Sequence, residues 1–126
     1  MNIERLDHFV LTVADIDATI GFYTGVLGFE AVTFGQGRKA LSFGKQKINL
    51  HQKGKEFEPK AANPVPGSAD LCFIAITPVE TILEELQEKG IEIIEGIVLR
   101  TGAMGIIKSV YFRDPDGNLI EVSNYE

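Results

Sequence analysis

The sequence is poor in several residue types: its 126 residues include no tryptophan, one cysteine and two histidines. The single cysteine, Cys72, has no partner for an internal disulfide bond, which is typical of a reducing compartment. No apolar run is long enough to cross a membrane, and the opening Met-Asn-Ile-Glu-Arg lacks the apolar segment of a signal peptide. We therefore expect a cytoplasmic protein without a membrane partner.

The chain also lacks a basic patch. It has 12 basic and 18 acidic residues, a net charge of −6, and no lysine or arginine cluster interleaved with aromatic residues. This pattern excludes the usual electrostatic footprint of a nucleic-acid-binding protein. Hydrophobic residues make up 44% and charged residues 24%, which is the balance of a soluble globular domain. A small molecule is the expected partner.

The first half of the chain predicts a strand, a helix and three further strands. Alternation of apolar and polar residues indicates the strands, and an apolar stripe that includes Phe22 and Tyr23 indicates a helix packed on a sheet. An aspartate can cap this helix at its start, and a glycine can end it. The predicted elements are a strand at 4–13, a helix from Asp15 or Asp17 to Gly28, and strands at 29–35, 39–43 and 46–52.

The same order recurs in the second half, after a loop rich in proline and glycine at 53–68. Recurrence at about sixty residues predicts a duplicated module. The predicted elements are strands at 70–76, 91–100, 106–112 and 118–123 and a helix at 78–89. We expect one domain at 1–126, made of module 1 at about 1–56, a linker at about 57–68 and module 2 at about 69–126.

The most specific local signal is Asp114-Pro115-Asp116-Gly117, which predicts a tight turn between the last two strands. In the strand that follows, side chains alternate between two faces. Ile120 and Val122 are therefore expected in the core. Glu121 points to the opposite face, and a carboxylate in an apolar strand needs a partner because burying an unpaired charge is costly.

When the sequences of the two halves are aligned, His8 is equivalent to Asp70 and His51 is equivalent to Glu121. Four potential metal ligands in equivalent positions of two related halves are expected to converge. Two imidazoles and a carboxylate form a three-ligand set that leaves positions for water or substrate, as in a catalytic metal site. Asp70 is either a fourth ligand or a base that stays off the metal. The set admits Fe, Mn, Co, Ni or Zn.

Other interpretations of these residues stay open. Either histidine alone is compatible with a surface or core position, Asp70 with the end of a strand, and Glu121 with an edge-strand charge that discourages aggregation. Cys72 is expected to be a small core residue rather than a nucleophile. The remaining candidates are loop positions that are solvated or face an anion: Arg100, Thr101 and Lys108.

Two long segments resemble a known family. LDHFVLTVADIDATIGFYTGVLGFE at 6–30 and SVYFRDPDGNLIEVSNY at 109–125 are similar to the vicinal-oxygen-chelate (glyoxalase/bleomycin-resistance/extradiol dioxygenase) superfamily. GSADLCFI at 67–74 and RTGAMG at 100–105 are similar to its small glyoxalase-domain-containing proteins. The resemblance implies an α+β fold in which two βαβββ modules form a curved mixed sheet around a metal cup.

By position, the resemblance implies that His8, His51 and Glu121 hold a divalent metal ion. Four-ligand members have His or Glu where this chain has Asp70, so three protein ligands plus water are expected. The implied activity is that of a glyoxalase-like lyase or isomerase acting on a small carbonyl or thiol adduct, with Glu121 or Asp70 moving the proton. Small members of the family commonly form homodimers.

Three other functions are compatible with the same family. The first is an Fe(II) extradiol-type dioxygenase, although no histidine is left for acid or base chemistry once the two are used as ligands. The second is a metal-free protein that binds a drug or metabolite, which has no need of the ligand set. The third is a thiol transferase similar to the fosfomycin-resistance proteins, for which no clearly cationic loop is found in the sequence.

Overall fold

The computed structural model describes all residues, 1–126, and confirms the predicted α+β architecture. The order strand, helix, strand, strand, strand occurs twice, so the chain consists of two βαβββ modules. The first comprises β1 (His8–Val13), α1 (Ile16–Gly25), β2 (Glu30–Phe34), β3 (Arg38–Phe43) and β4 (Gln46–Gln52). The second comprises β5 (Asp70–Ile74), α2 (Val79–Glu88), β6 (Glu95–Gly102), β7 (Gly105–Arg113) and β8 (Leu119–Tyr125).

The chain divides into two compact units, Met1–Gly67 (unit 1) and Ser68–Glu126 (unit 2). The strands of each unit form their own four-stranded mixed sheet, in the order β1-β4-β3-β2 in unit 1 and β5-β8-β7-β6 in unit 2. In each sheet the first and last strands of the module pair in parallel, and the remaining pairs are antiparallel. Neither helix is long and apolar enough to cross a membrane.

Helix α1 begins at a predicted aspartate cap but ends at Gly25, three residues before the predicted Gly28. The Asp15 side chain accepts a hydrogen bond from the Ala18 backbone N–H at 3.1 Å, which satisfies one of the free donors of the first turn. At the other end Gly28 has a φ of 72°, and the Phe29 N–H bonds back to the Tyr23 carbonyl at 3.0 Å. The helix packs its fully buried Tyr23 on the sheet of unit 1.

The predicted turn between β7 and β8 is also confirmed. The Gly117 N–H donates to the Asp114 carbonyl at 3.0 Å, and Gly117 has a φ of 87°, which glycine adopts without a steric penalty. Beyond the turn, Ile120 and Val122 are buried as expected. The turn therefore fixes which residues of β8 face the core and leaves Glu121 on the other face.

Each unit has its own apolar core between the helix and one face of the sheet. In both units the core residues alternate along the strands with polar residues on the opposite face, as the two-residue strand period requires. The core residues of unit 1 are Leu11, Val13, Tyr23, Leu41, Ile48 and Leu50, and those of unit 2 are Val79, Leu86, Val110, Phe112, Ile120 and Val122. Ala40 and Ile107 are also buried, but on the opposite face of their sheets.

Two predicted strands begin four residues later in the structure than the sequence predicts. The first was expected from residue 4 but begins at His8, because its parallel partner β4 begins its register with Lys47 opposite His8. The strand expected at 91–100 is β6, which runs from Glu95 to Gly102. The amide of Ile91 is instead used to close α2 through the Leu86 carbonyl at 2.9 Å.

The structure corrects the alignment of the two halves. In unit 1, β1 and β4 pair Val10 with Asn49. In unit 2, β5 and β8 pair Cys72 with Glu121. If His8 is equivalent to Asp70, then Val10 is equivalent to Cys72, and Asn49 rather than His51 is equivalent to Glu121. The two predicted equivalences, His8 with Asp70 and His51 with Glu121, differ by two residues of register and cannot both hold.

Candidate metal-binding residues and ligand cavity

His8 lies at the start of β1 and is held in one ring orientation. Its Nδ1 contacts the Asp7 carboxylate at 2.8 Å, and the imidazole is partly exposed. A carboxylate on one ring nitrogen keeps the proton there and leaves Nε2 as the free acceptor, which is the arrangement that metal-bound histidines usually have. The surroundings of His8 therefore suit a metal ligand.

His51 lies further from His8 along the sheet than two ligands of one metal ion normally do. The register pairs His8 with Lys47 and Thr12 with His51, so the two histidines are four residues apart along adjacent strands. At a rise of about 3.3 Å per residue this is about 13 Å of backbone. Two nitrogen ligands of one ion lie within about 4 Å of each other, since each bond is about 2.1 Å. Both rings would have to lean toward each other along the strands.

Asn49 is closer to His8 in the same register. It faces the same side of the sheet as His8 and lies opposite Val10, only two residues along, or about 7 Å. The residue is 6% exposed, and its Oδ1 is buried without a hydrogen-bond partner. An unsatisfied buried acceptor is uncommon and calls for an explanation, and an unseen ion is one of the usual ones. Asn49 Oδ1 is thus a second candidate ligand on β4.

His51 is surrounded by a cation and an aromatic ring. The Arg38 Nη2–H group lies 3.3 Å from His51 Nε2, and the Phe57 ring packs edge-on at 5.5 Å between centroids. Burial of the ring, followed by the nearby charge of Arg38, lowers the pKa of His51. His51 is therefore a neutral imidazole at pH 7, with Nε2 accepting from Arg38.

The lowered pKa predicts a loss of stability in mild acid. Because the unfolded chain takes up a proton near pH 6.5 and folded His51 resists it, the unfolded state binds more protons as the pH falls through that range. The free energy of unfolding of metal-free protein should decrease from pH 7.5 to 5.5, with a contribution from His51 of at most about 1.4 kcal/mol per pH unit. Urea titrations at several pH values measure it.

The variant for this measurement is His51→Gln. The slope of stability against pH should be shallower in His51→Gln, since the titrating group is gone. Equal slopes in the wild type and His51→Gln would show that His51 does not resist protonation.

Glu121 lies in the middle of β8 with its carboxylate held by hydroxyl groups. Ser109 donates to Oε2 at 2.6 Å, and the Ser123 hydroxyl lies 3.4 Å from the same oxygen. The predicted partners were the histidines, but within unit 2 the carboxylate is held by these serines and interacts with Tyr111. A carboxylate oriented in this way suits metal binding or proton transfer.

Glu121 lines a cavity of about 430 Å³ in unit 2. The cavity combines apolar walls with two phenols and a guanidinium. Burial raises the pKa of the Tyr111 phenol, and hydrogen bonding with Glu121 raises it further, so Tyr111 remains a proton donor at neutral pH. The volume suits a small organic molecule. The lining residues are Cys72, Ile74, Arg100, Thr101, Gly102, Ala103, Ile107, Tyr111, Glu121 and Tyr125.

Four predicted positions on β5 and β6 can now be placed. Cys72 is exposed, so the prediction of a core cysteine is wrong: it pairs with Glu121 on the face that carries the cavity rather than on the core face. Desolvation of its sulfur raises the pKa of the thiol, which makes Cys72 a poor nucleophile. Asp70 is exposed at the first position of β5. Arg100 and Thr101 line the cavity.

The predicted ligands belong to different units. His8 and His51 lie in unit 1, and Asp70 and Glu121 lie in unit 2. Neither unit by itself contains a group of three or more His, Cys, Asp or Glu side chains that could hold a metal ion. The assignment of His8, His51 and Glu121 as metal ligands stays a prediction.

Sequence reasoning missed Asn49, Arg38 and Tyr111. Asn49 had a detectable signal, because it is a polar residue between the two apolar residues of β4, Ile48 and Leu50, and alternates onto the same face as His51. Arg38 and Tyr111 had none. Each acts through neighbours on other strands, which only the sheet register identifies.

Comparisons with known proteins give matches over nearly the whole chain. A family model described as Glyoxalase/Bleomycin resistance protein/Dioxygenase superfamily matches residues 5–122. The chain is 65% identical over 125 residues to Virulence protein STM3117 of Salmonella typhimurium, covering 99% of this chain and 87% of that protein. It is 60% identical over 126 residues to Glyoxalase domain-containing protein RDO1 of Mycosarcoma maydis, covering 100% and 71%.

Solved structures agree with the sequence matches. The crystal structure of the Salmonella virulence protein superposes with a TM-score of 0.99 at 64% identity, over 100% of both chains. Lactoylglutathione lyase from Agrobacterium tumefaciens superposes with a TM-score of 0.74 at 26% identity, over 98% of this chain and 96% of that one. The fold and its two-module order are therefore shared with these proteins.

Proposed function

Because the chain belongs to the glyoxalase/bleomycin resistance protein/dioxygenase superfamily, we propose that it is a metal-dependent lyase or isomerase acting on a small carbonyl compound or thiol adduct. The similarity to a lactoylglutathione lyase supports this reaction class. The observation that carries the proposal is Glu121, an oriented carboxylate that lines a cavity of small-molecule size.

The donor set fits a divalent metal ion. In this proposal His8 contributes Nε2, Glu121 contributes a carboxylate oxygen, and one residue of β4 contributes the third ligand. That residue is His51 as predicted from the sequence, or Asn49, whose buried Oδ1 lacks a partner. Arg38 argues against His51 as the third ligand, because its guanidinium lies 3.3 Å from Nε2 and competes with a metal cation for that nitrogen. Zn, Ni, Co, Mn and Fe all accept such a mixed set.

When bound, a divalent metal would supply a Lewis acid that stabilises negative charge on a substrate oxygen. The protein side chains have separate tasks. Asp7 keeps the His8 proton on Nδ1, and Ser109 holds Glu121 in place. Glu121, or Asp70 at the start of β5, accepts a proton from one carbon and returns it to the neighbouring carbon. Burial and the neighbouring Glu121 raise the pKa of the Tyr111 phenol, so Tyr111 stays protonated beside the carboxylate.

Elemental analysis followed by turnover assays tests the proposal. We expect purified protein to contain about one divalent metal per chain, and protein reloaded with Ni, Co or Zn to convert the adduct of methylglyoxal with a thiol. Asn49→Ala and His51→Gln are the matched pair for the third ligand, and the true ligand is the one whose loss lowers metal content. Metal-loaded protein that turns over no carbonyl or thiol adduct would contradict the proposal.

The same assays separate the competing functions. Oxygen uptake with a catechol by iron-loaded protein supports a dioxygenase, and saturable ligand binding by metal-free protein without turnover supports a binding protein.

A homodimer and a cytoplasmic location also belong to the proposal. The dimer is proposed from the family resemblance, since small members commonly form homodimers. Sedimentation equilibrium at the monomer mass would exclude it.

A further inference from the structure

Arg38 of unit 1 is a partly buried cation without a carboxylate partner. None of the five ion pairs of the structure includes it. Its one polar contact is the hydrogen bond that its Nη2–H group donates to Nε2 of neutral His51, and its Nε is buried without any hydrogen-bond partner. Burying an unpaired charge or donor is costly, so such a group is normally matched by an anion.

The acidic residues nearest to this region are already engaged. Glu56 accepts a hydrogen bond from the Gly54 backbone N–H at 2.8 Å, and Glu58 pairs with Lys60. Their charges act on His51 from a distance but neither carboxylate contacts Arg38. The protein itself therefore does not supply the missing anion.

Aromatic rings hold the guanidinium in one orientation. The Arg38 Cζ atom lies 5.1 Å from the centroid of Phe34 and 4.6 Å from that of Phe57. His51 fixes the guanidinium from a third side, and His51 is only 3% exposed and contacts Phe57 itself. A guanidinium that is already oriented loses little side-chain entropy when an anion binds, which favours binding.

A second cation lies beside the first. The Lys47 ammonium is 3.7 Å from the Phe34 centroid, so both cations contact the same ring. The strand register places Phe34, Arg38 and Lys47 on one face of the sheet. Two acids lie toward the Lys47 end of the face: Glu30, in the same cross-strand row as Ser42 and Lys47, and Asp7, which contacts His8 opposite Lys47. Neither forms an ion pair with Lys47 or Arg38. The Lys47 ammonium extends to Phe34, so the two cations meet at that ring.

We propose that Arg38, supported by Lys47, Phe34 and Phe57, binds the carboxylate of a small molecule whose remaining part is apolar. The Nε–H group and the guanidinium N–H groups that His51 does not use match the two oxygens of a carboxylate. Phe57, which is 46% exposed, offers an apolar surface to the rest of the molecule. Unit 1 alone contains all of these groups, so the binding does not depend on a metal or on the proposed reaction.

The test is isothermal titration of full-length, metal-free protein with benzoate, and with benzamide as its uncharged isostere. Benzoate should bind at least about tenfold more tightly than benzamide, because charge-assisted hydrogen bonds are worth about one to two orders of magnitude in affinity. Arg38→Met should weaken benzoate binding by about ten- to a hundredfold. Arg38→Lys should recover only part of it, since lysine keeps the charge but not the fork.

Arg5→Met is the matched control. Arg5 is exposed in the same unit and pairs with Glu4, so its loss changes the net charge equally but should leave benzoate affinity unchanged. A second readout is the side-chain Nε–H resonance of Arg38, one of four arginines, which should move on benzoate addition in ¹⁵N spectra of the wild type. Thermal denaturation checks that each variant is folded.

Equal affinities for benzoate and benzamide, or wild-type affinity in folded Arg38→Met, would overturn the proposal. Tighter binding of inorganic phosphate than of benzoate would overturn the choice of a carboxylate. Because the titration uses metal-free protein, its failure leaves the proposed lyase activity untouched. Loss of turnover in a metal-ligand variant likewise leaves the benzoate result untouched.

Discussion

Replacing Glu121 by Gln is expected to reduce turnover of a carbonyl or thiol adduct by about two to four orders of magnitude, the usual contribution of a positioned acid or base. Glutamine keeps the shape of the side chain and an oxygen that can accept the hydrogen bond from Ser109, now 2.6 Å from Oε2. It lacks the negative charge that binds a divalent cation, and it cannot carry the transferred proton. Metal content should therefore fall together with activity.

The control for this variant is Glu84→Gln on the exposed surface of α2, which makes the same change of charge. It should keep wild-type metal content and turnover. Ser109→Ala tests the positioning of Glu121 separately, since Ser109 contacts both Glu121 and Ser123. We expect a smaller loss, about ten- to a hundredfold, as for other groups that orient a metal ligand. Full activity and metal content in Glu121→Gln would remove Glu121 from the proposed site.

Asp114→Ala is expected to destabilise the protein by about 2–4 kcal/mol, because it removes charge-assisted hydrogen bonds and leaves buried donors unsatisfied. Asp114 Oδ1 accepts from the backbone N–H groups of Asp116 and Asn118 at 2.9 and 3.0 Å, and Oδ2 accepts from Asn118 Nδ2 at 2.7 Å. Asn118 is 1% exposed and its Oδ1 accepts from the Ala69 N–H at 2.8 Å. The turn is thereby joined to the residue before β5.

Urea denaturation followed by circular dichroism measures the loss, and hydrogen exchange of the Ala69 and Asn118 amides shows where it acts. Asp114→Asn should cost less, because its amide oxygen still accepts one of the bonds. Asp116→Ala, two residues away, should be milder, since the backbone rather than the side chain of Asp116 donates to Asp114. Equal stability of Asp114→Ala and the wild type would show that the side chain does not hold the turn.

Local signals predicted the elements well where the chemistry is local. The capping of α1 by Asp15 and the turn at 114–117 each depend on residues within a few positions, and both were confirmed. Helix α1 ends at Gly25, three residues before the predicted Gly28. Strand β4 was predicted with its observed bounds, Gln46–Gln52. The predicted start of β1 was less accurate, since a strand extends only where its partner provides hydrogen bonds.

Predictions that depend on partners distant in sequence were less accurate. Cys72 was expected in the core, but the alternation of β5 places it opposite Glu121 on the other face. Aligning the halves by their letters was two residues out in β4, which concealed Asn49. The Arg38 cluster was not foreseen, because it unites side chains from β2, β3 and β4 and the loop after them.

The sequence by itself determined the duplicated strand and helix order and most turns and caps, because these follow from periodicity and from contacts between near neighbours in the chain. It also indicated the family, through the resemblance of its long motifs. Only the tertiary structure decided which residue of β4 corresponds to Glu121, which hydroxyl groups hold that carboxylate, and which arginine is left without a counter-ion. The physical reason is the strand register: a shift of two residues keeps every side chain on its face, so the hydrophobic pattern cannot detect it, yet it moves a ligand by about 7 Å.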